Sequence, residues 1–506
     1  MDTVNPMNVF HGETSLIDFY TPDKGPPIPL VELPQRLNPF RKDGVRIYAK
    51  LMSHVPAANI KSLPALNMIL RAQEAGEISN ETHTLVEYSS GSTVTSIGIV
   101  AHILGIPKVK AYVTNKTTEV KLQLLRFFGL DVLVHRTFDT FRRTRHPVHS
   151  DPNGGIFVAA EEGKREPGVV NPDQYFNRTN WESHMRWTGP QIYAQLPEIK
   201  VSSTAWGRPK CSIFQVQGTI TGTGIYLKSK VENLVSIGVA TAPEDRVPGP
   251  RSLNVLLDIE FPWREGHDVI EEVGSFEAYE KSMELSRFGL LVGPSSGLAL
   301  VGVFNFLAKR KENGTLDELR NSNGEIPCVF ICADQPFQYI GDYFKKLPSS
   351  HFCPVTNEEL FTSDRYPYNM DWEVTPEKGQ QMLTDNGGPA VCVLDLRNED
   401  DFNASHITGS LNADVGARDL PNPYKHAATL TDLFQKLDSR LSAEDATFGA
   451  ALKGRRVLTV SYDGNVARLA MSILRNRGLE AYCVQGGYEG GYLERKCRRG
   501  RLDGGC

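Results

Sequence analysis

The most constraining feature of this 506-residue chain is a regular alternation of two kinds of segment. From about Ile47 to Tyr343, short apolar runs typical of buried strands alternate with longer runs in which apolar residues recur at helical spacing. This alternation predicts an α/β fold with mostly parallel sheets. The strand candidates include THTLVEY, KVKAYV, LDVLVH, CSIFQVQ, LLVG and CVFICA. The helix candidates include EVKLQLLRFFG, which ends at Gly129, and EAYEKSMELSRFG, which ends at Gly289.

The length predicts more than one domain, because a single core rarely grows beyond about 250–300 residues. Residues 347–375 break the alternation and are predicted to be a linker between a first domain, 1–346, and a second domain, 376–495. The second domain contains the strand candidates AVCVLDLR, RRVLTVSY and AYCVQGG and the helix candidates LTDLFQKLDSRL and NVARLAMSILRNRG, so it is also predicted to be α/β. Residues 496–506 form a basic tail that we expect to be solvated.

Composition excludes several classes of protein. A formal net charge of −5 argues against a general nucleic-acid binder, and no apolar run reaches the roughly 18 residues of a membrane span. The first twenty residues carry acids and lack the basic and apolar regions of a signal peptide. Eight cysteines in so long a chain do not indicate a disulfide framework, and Cys328 and Cys332 are predicted to be core residues. The twelve histidines are scattered along the chain, so no metal site is predicted. The expected compartment is the cytoplasm.

Lys61 is the residue that most strongly indicates a function. It precedes a helix candidate in HVPAANIKSLPALNMI, and a turn of small hydroxyl residues and glycine, 89–93, follows about thirty residues later between HTLVEY and SIGIVAHIL. An amine that can form an imine, near a loop that can hold an anion, is the combination required by pyridoxal phosphate (PLP) chemistry. The alternatives are a solvated surface lysine and a helix-capping turn without a ligand.

These and other segments, in their order along the chain, resemble the cysteine synthase / cystathionine β-synthase family of fold-type II PLP enzymes. The resemblance covers roughly Pro29 to Phe344 and implies two α/β subdomains with the cofactor between them. The matching segments are PLVELPQRLNPF...RIYAKLM, NIKSLPALNMI, EYSSGSTVTSIGIVAHILGI, VTNKTTEVKLQLLRFFGLDV, DQYFNRTNWESHMRWTGPQIY, QVQGTITGTGIYLK and FGLLVGPSSGLALVG.

The resemblance also implies roles for individual residues. Lys61 corresponds to the lysine that carries the cofactor and later takes the substrate Cα proton. The substrate carboxylate is assigned to the turn after HTLVEY, with help from a glutamine further along the chain. These substrate-binding candidates are Ser89, Ser90, Gly91, Thr93 and Gln174. The remaining cofactor-binding candidates are Ser92, Gln217, Gly218, Thr219, Thr221, Gly293, Asp334 and Gln335.

Three of these positions depart from the family pattern. Ser92 stands where the family has an asparagine, so its contact with the cofactor ring is expected to be weaker or bridged by water. The phosphate-binding loop reads QVQGT, 215–219, in place of Gly-Thr-Gly-Gly-Thr, and bulky residues there restrict the backbone. GTITGTG lacks the G-x-G-x-x-G spacing of a dinucleotide site. The turn CADQPFQYI leaves either Asp334 or Gln335 facing the pyridine nitrogen, and Asp334 as a mere turn residue is equally compatible with the sequence.

The second domain resembles a rhodanese domain. AVCVLDLRNEDDFNASHITGSLNADV is similar to the family's opening stretch, and the loop after RRVLTV is where the family has its sulfur-carrying cysteine. Here that loop begins at Ser461, keeps Gly464 and has Val466 in place of the family's arginine. A serine cannot hold a persulfide, because the thiolate is the nucleophile in that chemistry. Cys483 lies on the next strand candidate and is predicted to be core, so the domain is predicted to be degenerate.

Together, the two resemblances imply a PLP-dependent lyase or transferase. The expected reaction is β-elimination or β-replacement on an activated serine-type amino acid through an aminoacrylate. One alternative is a different β- or γ-replacement in a specialised pathway, and another is a scaffold protein that has lost PLP. The expected partners are a small amino-acid substrate and a second copy of the chain, with neither nucleic acid nor membrane.

Overall fold

The computed structural model describes residues 5–115, 117–135, 154–206, 217–250, 261–363, 365–385, 389–442 and 448–488. The chain divides into two compact units, Met1–Phe352 and Cys353–Cys506. In the described ranges, no helix combines the length and apolar character that a membrane span requires.

The first unit contains two sheets covered by helices. Its strands are β1 Leu30–Glu32, β2 Val45–Leu51, β3 Thr84–Tyr88, β4 Lys108–Thr114, β5 Asp131–His135, β6 Val169–Val170, β7 Val201–Ala205, β8 Val235–Thr241, β9 Val269–Val273 and β10 Ile326–Cys332. Its helices are α1 Ser15–Tyr20, α2 Ser62–Glu74, α3 Ser92–Ile103, α4 Glu119–Phe127, α5 Gly155–Arg165, α6 Thr179–Ser183, α7 Gly189–Gln195, α8 Gln217–Lys230, α9 Ser275–Arg287, α10 Pro294–Glu312 and α11 Ile340–Lys346.

The two sheets are almost entirely parallel. The larger has the order β1-β2-β10-β7-β8-β9, in which β1 pairs antiparallel with β2 and the other pairs are parallel. The smaller is parallel throughout, with the order β5-β4-β3-β6. Parallel strands need helical crossovers that cover both faces, and the central strands β3, β7 and β10 are accordingly buried along their whole length. The predicted α/β class is confirmed.

One predicted strand is wrong and another cannot be judged. LLVG, 290–293, is extended chain without a strand partner among the described residues, because it is a short connection that enters α10 directly. Pro294 occupies the first position of α10, where a missing N–H costs nothing. CSIFQVQ lies outside the described residues except for its last residue, Gln217, which begins α8. Gly129 and Gly289 follow α4 and α9 with positive φ, as predicted for helix ends.

The second unit is one parallel sheet with helices. Its strands are β11 Glu373–Val374, β12 Val391–Asp395, β13 Leu411–Asn412, β14 Arg456–Val460 and β15 Ala481–Val484, in the order β11-β15-β14-β12-β13. Its helices are α12 Pro376–Thr384, α13 Glu399–Ala404, α14 Ala427–Arg440, α15 Phe448–Leu452 and α16 Asn465–Asn476. Most of the segment predicted as a linker, 347–375, belongs to this unit, and its last residues form β11.

Candidate active site

Lys61 is a buried amine without a hydrogen-bond partner. It immediately precedes α2, and only 1% of the residue is exposed. Its Nζ contacts no hydrogen-bonding group within the described part of the chain. Burial penalises the ammonium form and lowers the pKa of Lys61 from 10.5 to about 7. A large share of this amine is therefore neutral near pH 7 and available as a nucleophile.

The loop before Lys61 is fixed to the end of β10. The Ile60 N–H donates to the Ala333 carbonyl at 2.7 Å. The Asn59 side-chain oxygen accepts from the Lys61 N–H at 2.9 Å and from the Ser96 hydroxyl, on α3, at 3.3 Å. Asn59 and Ile60 thereby connect the segment before α2 to α3 and to the end of β10, so the backbone of Lys61 has a defined position.

Lys61 lines a cavity at the carboxyl ends of β7 and β10. The lining residues are Asn59, Ile60, Lys61, Ser92, Thr204, Ala205, Thr219, Pro248, Gly249, Ser295, Ile331, Ala333 and Asp334. Four candidates from the sequence analysis, Lys61, Ser92, Thr219 and Asp334, therefore share this one cavity.

The start of α3 forms one wall of the cavity. Gly91 precedes the helix and Ser92 begins it, so its first backbone N–H groups have no helical partner. The Ser89 hydroxyl accepts from the Gly91 N–H at 3.3 Å. Ser89, Ser90 and Thr93 are buried, and the Thr93 hydroxyl has no hydrogen-bond partner in the described structure. These donors and hydroxyls are suited to an anion such as a carboxylate.

Gln174 lies at the end of β3, beside the same turn. Its side-chain amide donates to the Tyr88 carbonyl at 3.3 Å, and its backbone N–H donates to the Glu87 carboxyl at 3.2 Å. Glu87 is buried, and its pKa is raised to about 8 by burial, with a smaller contribution from the charge of Asp173. Sequence reasoning did not identify Glu87, because a glutamate within a strand gives no sign of its partner across the fold.

The start of α8 forms a second wall. Gly218 and Thr219 lie in its first turn, and Thr221 follows, with all three residues buried. A Cβ on Gly218 would lie 2.6 Å from the Asn180 side-chain oxygen, so a larger residue there would require the Asn180 side chain to move. Gln217 begins the helix, but its side chain, like the rest of the predicted loop before it, lies outside the described residues.

His184 contacts the first turn of α8 and was not identified from the sequence. It is fully buried, and its Nε2 lies 3.1 Å from the Thr219 hydroxyl oxygen. Burial, and secondarily the nearby Lys61, lower the pKa of His184 well below 6.5. The scattered spacing of the histidines gave no signal for this position, since its partner is 35 residues away.

Asp334 occupies the end of the cavity near β10. Its Oδ2 accepts from the Tyr339 hydroxyl at 2.6 Å and from the Gln338 amide at 3.1 Å, whereas its buried Oδ1 has no partner among the residues described. Burial raises the pKa of Asp334 to about 6, against the effect of those hydrogen bonds. A Cβ on Gly293 would lie 2.2 Å from Oδ1, so glycine leaves room for this oxygen. Gln335 is half-buried and is not among the residues lining this cavity.

This arrangement fits PLP. The cofactor requires a neutral amine for its aldehyde, N–H and hydroxyl donors for its phosphate, and a partner for its ring nitrogen. Lys61 supplies an unpartnered buried amine, the start of α8 supplies donors, and Asp334 supplies an unpartnered buried oxygen. Fold and site together therefore define an α/β enzyme of the PLP-dependent class.

Comparison with protein families gives the same result. The family model described as pyridoxal-phosphate dependent enzyme matches residues 23–318, more than half of the chain, so the protein belongs to this family. The model described as rhodanese-like domain matches residues 375–494. Both resemblances inferred from the sequence are confirmed.

Curated relatives match the first unit. N-(2-amino-2-carboxyethyl)-L-glutamate synthase of Ralstonia nicotianae is 30% identical over 296 residues, which are 56% of this chain and 80% of that protein. Cysteine synthase of Aquifex aeolicus is 28% identical, covering 59% of this chain and 86% of the relative. Cystathionine beta-synthase of Saccharomyces cerevisiae is 27% identical, covering 57% of this chain and 56% of the relative.

A solved structure supports the fold. O-acetyl serine sulfhydrylase isoform 3 from Entamoeba histolytica superposes with a TM-score of 0.51 at 20% identity. The superposition covers 67% of this chain and 93% of that one. At this identity the likeness establishes the fold of the first unit.

The rhodanese-like unit has no exposed nucleophile at its predicted site. Ser461 is buried, and its hydroxyl oxygen accepts from the backbone N–H groups of Gly464 at 3.1 Å and Ala467 at 3.2 Å. Cys483 is buried on β15, and burial raises the pKa of its thiol to about 12. Ser461 has no thiol, and the buried thiol of Cys483 stays protonated, so neither side chain supplies a thiolate to a substrate.

Proposed function

We propose that this protein catalyses PLP-dependent β-elimination and β-replacement on an activated serine-type amino acid. The observation that carries the proposal is Lys61, a buried and unpartnered amine in a cavity that also presents two helix N-termini. Family membership and the cysteine synthase relatives support this reaction class over the scaffold alternative.

We assign the holding of the cofactor to four groups. Lys61 would hold the aldehyde of the cofactor, the first turn of α8 with Thr219 would hold its phosphate, and Ser92 would contact its ring. Asp334 would hold the ring nitrogen, because it lines the cavity and its buried Oδ1 has no hydrogen-bond partner among the described residues. When bound, PLP supplies an electron sink for the charge left at the substrate Cα. A carboxylate partner would favour the protonated ring nitrogen and so strengthen that sink.

We assign the substrate's carboxylate to the start of α3. Ser89, Ser90, Gly91 and Thr93 bring donors to this point, and Gln174 lies beside them at the end of β3. A carboxylate held there fixes the amino acid, and the Lys61 amine, once released, removes the proton from Cα. Departure of the β-substituent, addition of a nucleophile at Cβ and return of the proton from Lys61 to Cα would complete the replacement.

The relatives favour a common product type. Their names describe a 2-amino-2-carboxyethyl group joined to nitrogen, in the glutamate derivative, or to sulfur, in cysteine. We therefore expect this protein to join the same three-carbon group to a sulfur or amine nucleophile.

The experiment uses the full chain loaded with PLP. O-acetylserine and O-phosphoserine are each mixed with sulfide or with glutamate, and products are identified by mass spectrometry. We expect one pair to give a β-replaced amino acid, and the Lys61→Ala variant to give none. Absence of a visible cofactor band in the wild-type protein, or unchanged turnover in Lys61→Ala, contradicts the proposal.

We further propose that the protein is a cytoplasmic homodimer whose rhodanese-like unit has no sulfurtransferase activity. The family resemblance supports the dimer, and Ser461 supports the loss of activity. Sedimentation of the full chain tests the dimer, and a monomer at micromolar concentration would contradict it.

A further inference from the structure

His184 connects two parts of the first unit through its ring nitrogens. It begins a π-helical turn, His184–Thr188, that joins α6 to α7. Its Nδ1 lies 2.8 Å from the hydroxyl oxygen of Thr188, and its Nε2 lies 3.1 Å from that of Thr219. Thr219 lies in the first turn of α8 and lines the cavity that contains Lys61. The histidine therefore contacts a residue that lines the cavity without itself being among the lining residues.

The segment around His184 is packed tightly against α8. A Cβ on Gly222 would lie 2.1 Å from the Trp181 carbonyl oxygen and 2.8 Å from the His184 Cβ. A Cβ on Gly218 would lie 2.6 Å from the side-chain oxygen of Asn180, on α6. Because glycines allow this approach, the imidazole has little freedom to move relative to the helix. Single-turn π-bulges of this kind often occur at functional sites.

The imidazole is neutral, because burial and the nearby Lys61 both disfavour its charged form. A neutral imidazole has one nitrogen that donates and one that accepts. Both of its partners are hydroxyls, which can do either, so the contacts allow two arrangements. In the first arrangement, Nε2 accepts the Thr219 hydroxyl hydrogen, so the Thr219 oxygen presents only lone pairs to the cavity. In the other, Nε2 donates and the Thr219 hydrogen is free.

We infer that His184 is a positioning residue for the cofactor phosphate. Thr188 donates to Nδ1, the Nε2–H donates to the Thr219 oxygen, and the Thr219 hydroxyl hydrogen turns into the cavity as a donor to the phosphate. An anion at the start of α8 selects this arrangement, since the other would present oxygen lone pairs to it. This inference rests on the proposed function, which places the phosphate at α8.

The test uses three variants of the full chain, with PLP affinity measured by titration of the apoprotein. His184→Gln can keep an amide N–H near the Nε2 position, whereas His184→Asn is too short to reach Thr219. Thr188→Val removes the donor to Nδ1 without altering the phosphate wall. Loss of one hydrogen bond is expected to raise the dissociation constant of PLP about tenfold in His184→Asn and about threefold or less in His184→Gln. The ³¹P resonance of bound PLP should shift in His184→Asn and Thr188→Val.

Control measurements separate positioning from folding. The melting temperature of each apoprotein is recorded, and His184→Asn is expected to lose PLP affinity beyond any loss shared with His184→Gln. Equal loss in both variants, or an unchanged ³¹P resonance in His184→Asn, overturns the inference. If His184→Asn does not fold, the ³¹P resonance of Thr188→Val decides alone. A wild-type protein that takes up no PLP overturns the proposed function, whereas the outcomes above overturn only the role of His184.

Discussion

Replacing Lys61 with methionine should change how the stability of the apoprotein depends on pH. The folded-state pKa of about 7 lies well below the ordinary value of 10.5, because the amine is buried without a partner. Below pH 7 the folded protein carries a buried ammonium at a cost. Above pH 7 the folded state releases that proton, whereas the unfolded state keeps it until about pH 10.5. The contribution of Lys61 to the free energy of unfolding therefore rises with pH across this window.

The magnitude follows from the same pKa. The full difference between the folded-state and ordinary pKa values of Lys61 corresponds to roughly 5 kcal/mol in the free energy of unfolding. Roughly 2 kcal/mol of this stability is gained between pH 7 and pH 9. Lys61→Met has a similar shape but no proton to release. The stability of the wild type relative to Lys61→Met should thus increase by roughly 2 kcal/mol from pH 7 to pH 9. Lys50 is a second buried lysine, and its pKa is lowered to about 7. Because Lys50 is present in both proteins, its effect cancels when the stability of Lys61→Met is subtracted from that of the wild type.

The assay is urea unfolding of the apoprotein followed by tryptophan fluorescence. Four of the five tryptophans lie in the first unit, so the signal mainly reports the unit that contains Lys61. Lys345→Met, which removes an exposed lysine of α11, is the matched control and should show no such change. A difference between wild type and Lys61→Met that stays constant from pH 7 to pH 9 would refute the account of Lys61 as a neutral buried amine.

Three other predictions concern the two units separately. Gln174→Ala should weaken amino-acid binding about tenfold without lowering PLP content, measured by substrate titration of the visible band, and a loss of PLP instead would show that Gln174 is structural. Gly293→Ala should lower PLP content, because its Cβ would lie 2.2 Å from the Asp334 Oδ1, and full PLP occupancy would contradict this reading. The purified protein should show no thiosulfate:cyanide sulfurtransferase activity, and activity that disappears in Cys483→Ser would prove the Ser461 argument wrong.

The parts of the fold that the sequence predicted are those with strong local patterns. β3, β4, β10 and β14 are short apolar runs bounded by polar or turn residues, and each forms where the pattern predicts it. LLVG has the same composition but is only a connection into α10, and composition alone cannot show whether a neighbouring strand is available. The local sequence pattern therefore predicted which segments can form strands. It was less informative about which of those segments pair with a neighbouring strand.

The residues of the candidate site also divide into those that a local motif indicates and those that it does not. Lys61 and the turn before α3 were predicted because a motif carries them, and the structure places Lys61 and Ser92 at one cavity. His184 and Glu87 act through partners 35 and 87 residues away, so no local pattern could indicate them. The choice between Asp334 and Gln335 depended on a one-residue register, and the structure places Asp334, not Gln335, among the residues that line the cavity.

The Ser461 loop has a consequence for the chemistry that the second unit could accept. The backbone N–H groups of Gly464 and Ala467 both point at the serine hydroxyl oxygen. Donors that converge on one atom also stabilise an anion placed there, because they favour its charged form. The loop therefore keeps the donors that would stabilise a thiolate, while serine gives them only a neutral hydroxyl to contact.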